Sequence, residues 1–143
     1  MILNDLKSVA EDLVQRPGSH AGCMVCGDDS LLGLKFQGGA EGVETRLRAS
    51  RLWQGYDRIL HGGMICSLLD AAMTHCLFRH GVEAMTADLQ VRFLKPVPCD
   101  TELQLRATLL EQRRNLYRLS AELADDTGIL ARAEARFIQG VAA

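Results

Sequence analysis

Hydrophobic and polar positions along the chain switch between a spacing near 3.6 residues and a spacing of two, and the switches mark its elements. Residues 1–16 set Ile2, Leu3, Leu6, Val9, Ala10, Leu13 and Val14 on one helical face, broken by Asp5, Lys7, Glu11 and Asp12, which predicts an N-terminal helix. Residues 17–30 crowd Gly, Ser, Asp and Cys together and predict a loop. Leu32, Leu34 and Phe36 then alternate with Gly33, Lys35 and Gln37. Beyond Gly38-Gly39, Val43, Thr45, Leu47 and Ala49 alternate with Glu44, Arg46 and Arg48, completing a hairpin with one wet face. Met64 to Phe78 is apolar almost all round, as in a helix enclosed by other elements. The period of two returns with Leu89, Val91 and Phe93, then Leu103, Leu105, Ala107 and Leu109, then Tyr117, Leu119, Ala121 and Leu123. A last run holds Ile129, Ala131, Ala133, Ala135 and Phe137. The breaks, Pro96-Val97-Pro98, Arg113-Arg114-Asn115 and Asp125-Asp126-Thr127-Gly128, suit an antiparallel meander. The order, two strands, one central helix and four strands, predicts an α+β domain whose sheet curls around the helix. A helix so apolar is expected to gain further burial against a second subunit.

Length changes the picture little: 143 residues make one domain, 1–143, without room for a separate cofactor domain. At 48% hydrophobic and 24% charged, the chain has a globular rather than a disordered or fibrous composition. Sixteen Lys and Arg against eighteen Asp and Glu leave a net charge of −2 with no block of like charge, which argues against a nucleic-acid partner. The apolar run of Met64 to Phe78 falls short of the ~20 residues that span a bilayer and contains Asp70. Residues 1–16 lack the unbroken apolar core of a signal peptide, and an odd count of five Cys fits free thiols, so a cytoplasmic location is expected.

Asp70 is the residue that changes the picture most, because an ionised carboxylate within an apolar helix must be compensated for its lost hydration. Ser67 lies three residues before it and Thr74 four after, so the three form a polar stripe on one helical face. An acid paired with an arginine or turned to water accounts for Asp70 structurally; the stripe gives it the character of a site. His61-Gly62-Gly63 precedes the helix, where free N–H groups gather. The junction is either a flexible entry to the helix or an N–H donor aimed at a carbonyl oxygen.

Five stretches, in their order and spacing, resemble the hotdog-fold acyl-CoA thioesterases of the phenylacetate-pathway (PaaI-like) type. They are Gln54-Gly55-Tyr56, Ile59-Leu60-His61-Gly62-Gly63, Leu68-Leu69-Asp70-Ala71, Thr86 to Asp88, and Val91-Arg92-Phe93-Leu94-Lys95-Pro96-Val97-Pro98. The resemblance runs from about Cys23 to Phe137 and takes in Cys23-Met24-Val25-Cys26-Gly27, Gly33-Leu34 and Asp126-Thr127-Gly128. It implies that Gly62 polarises a thioester carbonyl through its N–H and that Asp70 is nucleophile or general base. Thr74 and Thr86 both match a position that orients water or the acid. The asparagine that supports the histidine in some members is absent, and Gln54 is the residue that stands in for it. His61, Gly63 and Ser67 complete the candidate site. The implied substrate is a coenzyme A thioester, with no cofactor and no metal.

Gly62 and Asp70 are eight residues apart, which at ~1.5 Å rise per residue is roughly 12 Å along one helix. One chain cannot bring both to one carbonyl, so the mechanism requires a homodimer with Gly62 of one chain facing Asp70 of the other; a dimer of dimers is compatible with this. His20, Cys23 and Cys26 have a metal-like spacing, but no second Cys/His pair follows at finger-like distance. Cys66, Cys76 and Cys99 read as buried apolar residues and His75 and His80 as caps of the helix end. Arg92, Lys95, Arg113 and Arg114 are solvated edge charges or contacts to coenzyme A phosphates. Two other functions compete with hydrolysis. One is a non-catalytic acyl-CoA-binding or regulatory hotdog protein, against which a buried acid argues; the other is a hotdog dehydratase or hydratase, whose His/acid pair His61-Gly62-Gly63 does not resemble.

Overall fold

The computed structural model describes residues 13–38 and 42–140. After a 3₁₀ turn at Gly18–His20 come strands β1 (Gln37–Gly38) and β2 (Gly42–Arg48), a second 3₁₀ turn at Arg51–Trp53, and helix α1 (Gly62–Arg79). Four strands follow: β3 (Ala84–Phe93), β4 (Glu102–Arg113), β5 (Leu116–Asp125) and β6 (Gly128–Gln139). They form one six-stranded antiparallel sheet in the order β1-β2-β4-β5-β6-β3, and α1 packs against β2 through β6. This is the hotdog arrangement, a sheet wrapped around one helix.

The alternation along the strands is realised as burial. Leu103, Leu105 and Ala107 of β4, Tyr117, Leu119, Ala121 and Leu123 of β5, and Ala131, Ala133, Ala135 and Phe137 of β6 all face the helix, where Leu68, Leu69, Ala72, Met73 and Cys76 are fully enclosed. Small alanines on β6 let the helix approach the sheet closely. The helix ends in a Schellman motif: Gly81, at φ 72°, donates to the Phe78 carbonyl and Val82 to that of Leu77, both at 2.9 Å.

Three expectations need correction. Of the N-terminal helix over 1–16, residues 1–12 lie outside the described residues; Leu13 is not helical but bridges to Gln37, and Val14 donates to Phe36 O at 2.9 Å. The first strand shrinks to Gln37–Gly38, because Leu34 instead donates to Val25 O at 3.1 Å, folding the loop onto the helix. That loop brings Val25, Leu34 and Phe36 into the core, so part of the burial expected from a second subunit comes from the same chain.

Candidate active site

Helix α1 is held at its start from both sides. The His61 N–H donates to Trp53 O and the Leu60 N–H to Val97 O, each at 2.8 Å, while the Gly55 N–H closes the intervening loop onto Ile59 O at 2.9 Å. Gln54 serves this loop: its Oε1 accepts from the Arg58 N–H at 3.0 Å, stabilising Arg58 at φ 63°. It is Gly55, not the Gln54 amide, that lies against the His61 ring, where a Cβ would stand 3.4 Å from Cδ2. His61 is the N-cap, and its Nδ1 accepts from the Gly63 N–H at 2.8 Å. An accepting Nδ1 puts the proton of the neutral ring on Nε2. The Gly63 N–H is therefore spent on the cap, while Gly62, the first helical residue, is exposed. A Cβ on Gly62 would meet only the Phe93 ring, at 3.8 Å.

Along α1 the half-open positions Cys66, Ser67, Asp70, Thr74 and Phe78 form one line, with closed positions on either side. Ser67 donates to Gly63 O and Thr74 to Asp70 O, both at 3.0 Å, so these hydroxyls bond back to the helix's own carbonyls. The Asp70 carboxylate instead accepts from the Thr86 hydroxyl at 2.6 Å. Thr86 thus stands on the acid and Thr74 on the backbone. The β3–β6 register breaks between Thr86 and Asp88, a bulge at the point where β3 meets the helix. No arginine is paired with Asp70 among the described ion pairs, which disposes of the purely structural account of an acid neutralised by a cation.

Among the described residues β3 is the sheet's edge, paired on one side only with β6, yet Met85, Phe93 and Leu94 at 55%, 53% and 44% exposure make it an apolar one. Gly62 and Asp70 both lie beside this edge, against Phe93 and Thr86. Phe93 escaped sequence reasoning as a site neighbour because strand alternation assigned it to the core. A concavity of about 1100 Å³ lies elsewhere, on the sheet surface lined by Glu44, Arg106, Glu122, Arg132 and Glu134. Arg92 and Lys95 are exposed near the Phe93 end of the edge, whereas Arg113 and Arg114 are exposed near the Ala84 end.

The two helix-end histidines part company. His80 caps as expected, its Nδ1 lying 2.9 Å from Cys76 O. His75 does not cap: it is 2% exposed and stacked on Phe36 with ring centroids 4.5 Å apart. Burial, with His20 and Arg16 adding to it, pushes its imidazole down to about 4. Cys76 and Cys99 are buried and Cys66 is half-buried. Burial holds the Cys76 thiol up at about 11, far from a nucleophile's range.

Known proteins resemble this chain in sequence and in fold. The family model described as thioesterase superfamily matches residues 58–131. The acyl-coenzyme A thioesterase THEM4 of Mus musculus is 30% identical over 88 residues, which is 60% of this chain and 38% of the mouse protein. The chain thus matches little more than a third of that relative's length. Among solved structures, the PaaI protein of E. coli, from the phenylacetic acid degradation operon, superposes with a TM-score of 0.68 at 18% identity, covering 73% of this chain and 81% of that one. A hypothetical thioesterase from Streptococcus pneumoniae, solved with coenzyme A, superposes at 0.69 with 17% identity, over 73% and 86% of the two chains.

Proposed function

The chain belongs to the thioesterase superfamily, whose model matches just over half of it, and from that premise we propose that it hydrolyses an acyl-CoA thioester to free acid and coenzyme A. The observation that carries this reading is the Asp70 carboxylate, held by Thr86 on the open line of an apolar helix and paired with no cation among the described residues. The Gly62 N–H, at the positive end of the helix dipole, receives the carbonyl oxygen and stabilises the negative charge that develops there. Asp70 then either attacks the carbonyl carbon, giving an anhydride that water opens, or takes a proton from the attacking water. Either route expels the coenzyme A thiolate.

The active unit is a homodimer. Helix α1 carries both Gly62 and Asp70, roughly 12 Å apart along its axis, and a two-fold axis beside β3 brings each next to the other in the partner. The apolar edge of β3, unpaired among the described residues, supports this. The coenzyme A bound to the S. pneumoniae protein supports the substrate class. No helix of the described residues is long and apolar enough to cross a membrane, and five free thiols support a cytoplasmic location.

The test is release of free thiol from a panel of short-chain, long-chain and aromatic acyl-CoAs. Multiple turnovers on at least one are expected. Tight binding without release would establish a regulatory binder, and water addition to an enoyl-CoA without thiol release would establish a hydratase.

A further inference from the structure

We propose that His20, Cys26 and His75, with Cys23 as fourth ligand, form a tetrahedral zinc site that ties the N-terminal loop to the central helix. His20, Cys26 and His75 each present a ligand atom within 4.8 Å of the other two. His20 Nδ1 lies 3.4 Å from Cys26 Sγ. Zn–S and Zn–N bonds of about 2.3 and 2.0–2.1 Å at tetrahedral angles separate N and S by about 3.6 Å, so these atoms already stand at coordination spacing.

A second observation points to a ligand independently. Among the described residues, the buried side-chain nitrogens with no hydrogen-bond partner are Nδ1 and Nε2 of His75. Buried polar groups are almost always satisfied, and a ring left with neither nitrogen bonded is costly unless something binds there.

The local backbone is built as a ligand turn. The Gly27 N–H donates to Cys23 O at 2.7 Å, and the Val25 N–H donates to Cys23 Sγ at 3.4 Å, a bond that favours the thiolate. Only glycine fits at 27, where a Cβ would fall 2.4 Å from Cys23 O and 2.7 Å from Ala21 O. Arg16 secures the turn from outside, donating to the Cys26 carbonyl and pairing with Asp28. Two nitrogens and two sulfurs suit Zn²⁺, and the two thiol protons pass to solvent as the metal enters. The site is structural, since four protein ligands leave no open position, and His75 lies five residues beyond Asp70, on a different side of the helix. The expectation of no metal rested on the absence of a nearby second Cys/His pair; the distant ligand, His75, comes instead from the last turns of α1.

The full chain, purified without chelator and dialysed against metal-free buffer, is expected to retain about one zinc per chain by elemental analysis. Replacement by Co²⁺ is expected to give the visible bands of a tetrahedral site and a thiolate-to-cobalt charge-transfer band, which Cys23→Ser roughly halves. His75→Phe, which preserves the stack on Phe36, and Cys26→Ser are each expected to weaken zinc binding at least about tenfold. A strong chelator should lower the melting temperature of the wild type and leave that of His75→Phe unchanged. Folded wild type that holds no zinc and shows no cobalt spectrum overturns the proposal, as does a Cys23–Cys26 disulfide in protein freshly purified under reducing conditions. A cobalt spectrum unchanged by Cys23→Ser overturns the four-ligand site. The wild-type spectrum decides the matter even where a core variant fails to fold.

Discussion

Asp70 and Thr86 form the pair on which turnover is expected to depend. Asp70→Asn keeps the volume and still accepts the Thr86 hydroxyl, so the fold should survive while kcat on the best acyl-CoA falls at least about 10²-fold. Near wild-type turnover in the folded variant would reject Asp70 as acid or base. A hydrogen bond to a charged group is worth about 1.5–3 kcal/mol, so Thr86→Val should cost roughly 10- to 100-fold in kcat, and Thr86→Ser should restore most of it. Thr74→Val, which removes a hydroxyl bonded to the helix's own backbone, should be far milder. The placement of Asp70 was legible in the sequence, because a carboxylate inside an apolar helix must sit where the helix is open, and it lies on the half-open line of α1. The choice between Thr74 and Thr86 was not, since it depends on where a bulged strand crosses the helix. His75 was misread for a related reason: proximity to a helix end suggests capping, and only the loop folded across the helix reveals that the ring is enclosed.

At the scale of elements, the start of α1 and the β5–β6 turn each make a sharp expectation. Gly62 is the first helical residue, a position that accepts proline without strain, and a Cβ there meets only Phe93 at ordinary contact distance. Gly62→Ala, which keeps the N–H, should therefore remain active, whereas Gly62→Pro, which lacks it, should fold with an unchanged melting temperature and lose at least about 10²-fold in kcat. In the turn, Asp125 accepts from the Thr127 hydroxyl at 2.6 Å and N–H at 2.9 Å, and these bonds hold its carboxyl below the usual range. Because the folded-state value is the lower one, the stabilisation is present above about pH 4 and disappears as pH falls through the folded value. The urea midpoint of Asp125→Ala should lie below that of wild type near neutrality and converge on it as the folded-state carboxyl becomes protonated in acid. Helix and meander were readable from period alone, because each period is imposed by backbone geometry. The two-residue first strand was not, because apolar alternation at Leu32 to Phe36 also fits a loop pressed onto a helix.

For the whole molecule, the decisive test is complementation between chains. Gly62→Pro and Asp70→Ala homodimers should each be nearly inactive, but a mixed dimer has one site with both defects and one with neither. Re-formed mixtures should recover up to about a quarter of wild-type activity, with half the dimers mixed and half of their sites intact. A mixture that exchanges subunits and stays inactive would show that the two residues do not act across chains. The global architecture was legible because a single curled sheet is the simplest cover for one long apolar helix. Strand order was less so: β3 follows the helix directly yet pairs with β6 across the sheet, a placement that local pattern does not encode. That placement has a consequence for biosynthesis. β3 leaves the ribosome about 35 residues ahead of β6, its one strand partner among the described residues, at the few to twenty residues added per second of translation, so Met85, Phe93 and an unpaired backbone edge wait for a second or more before β6 can cover one side. The Thr86 hydroxyl that meets Asp70 sits on β3, so the sheet holds that contact in place only after β6 has paired with it.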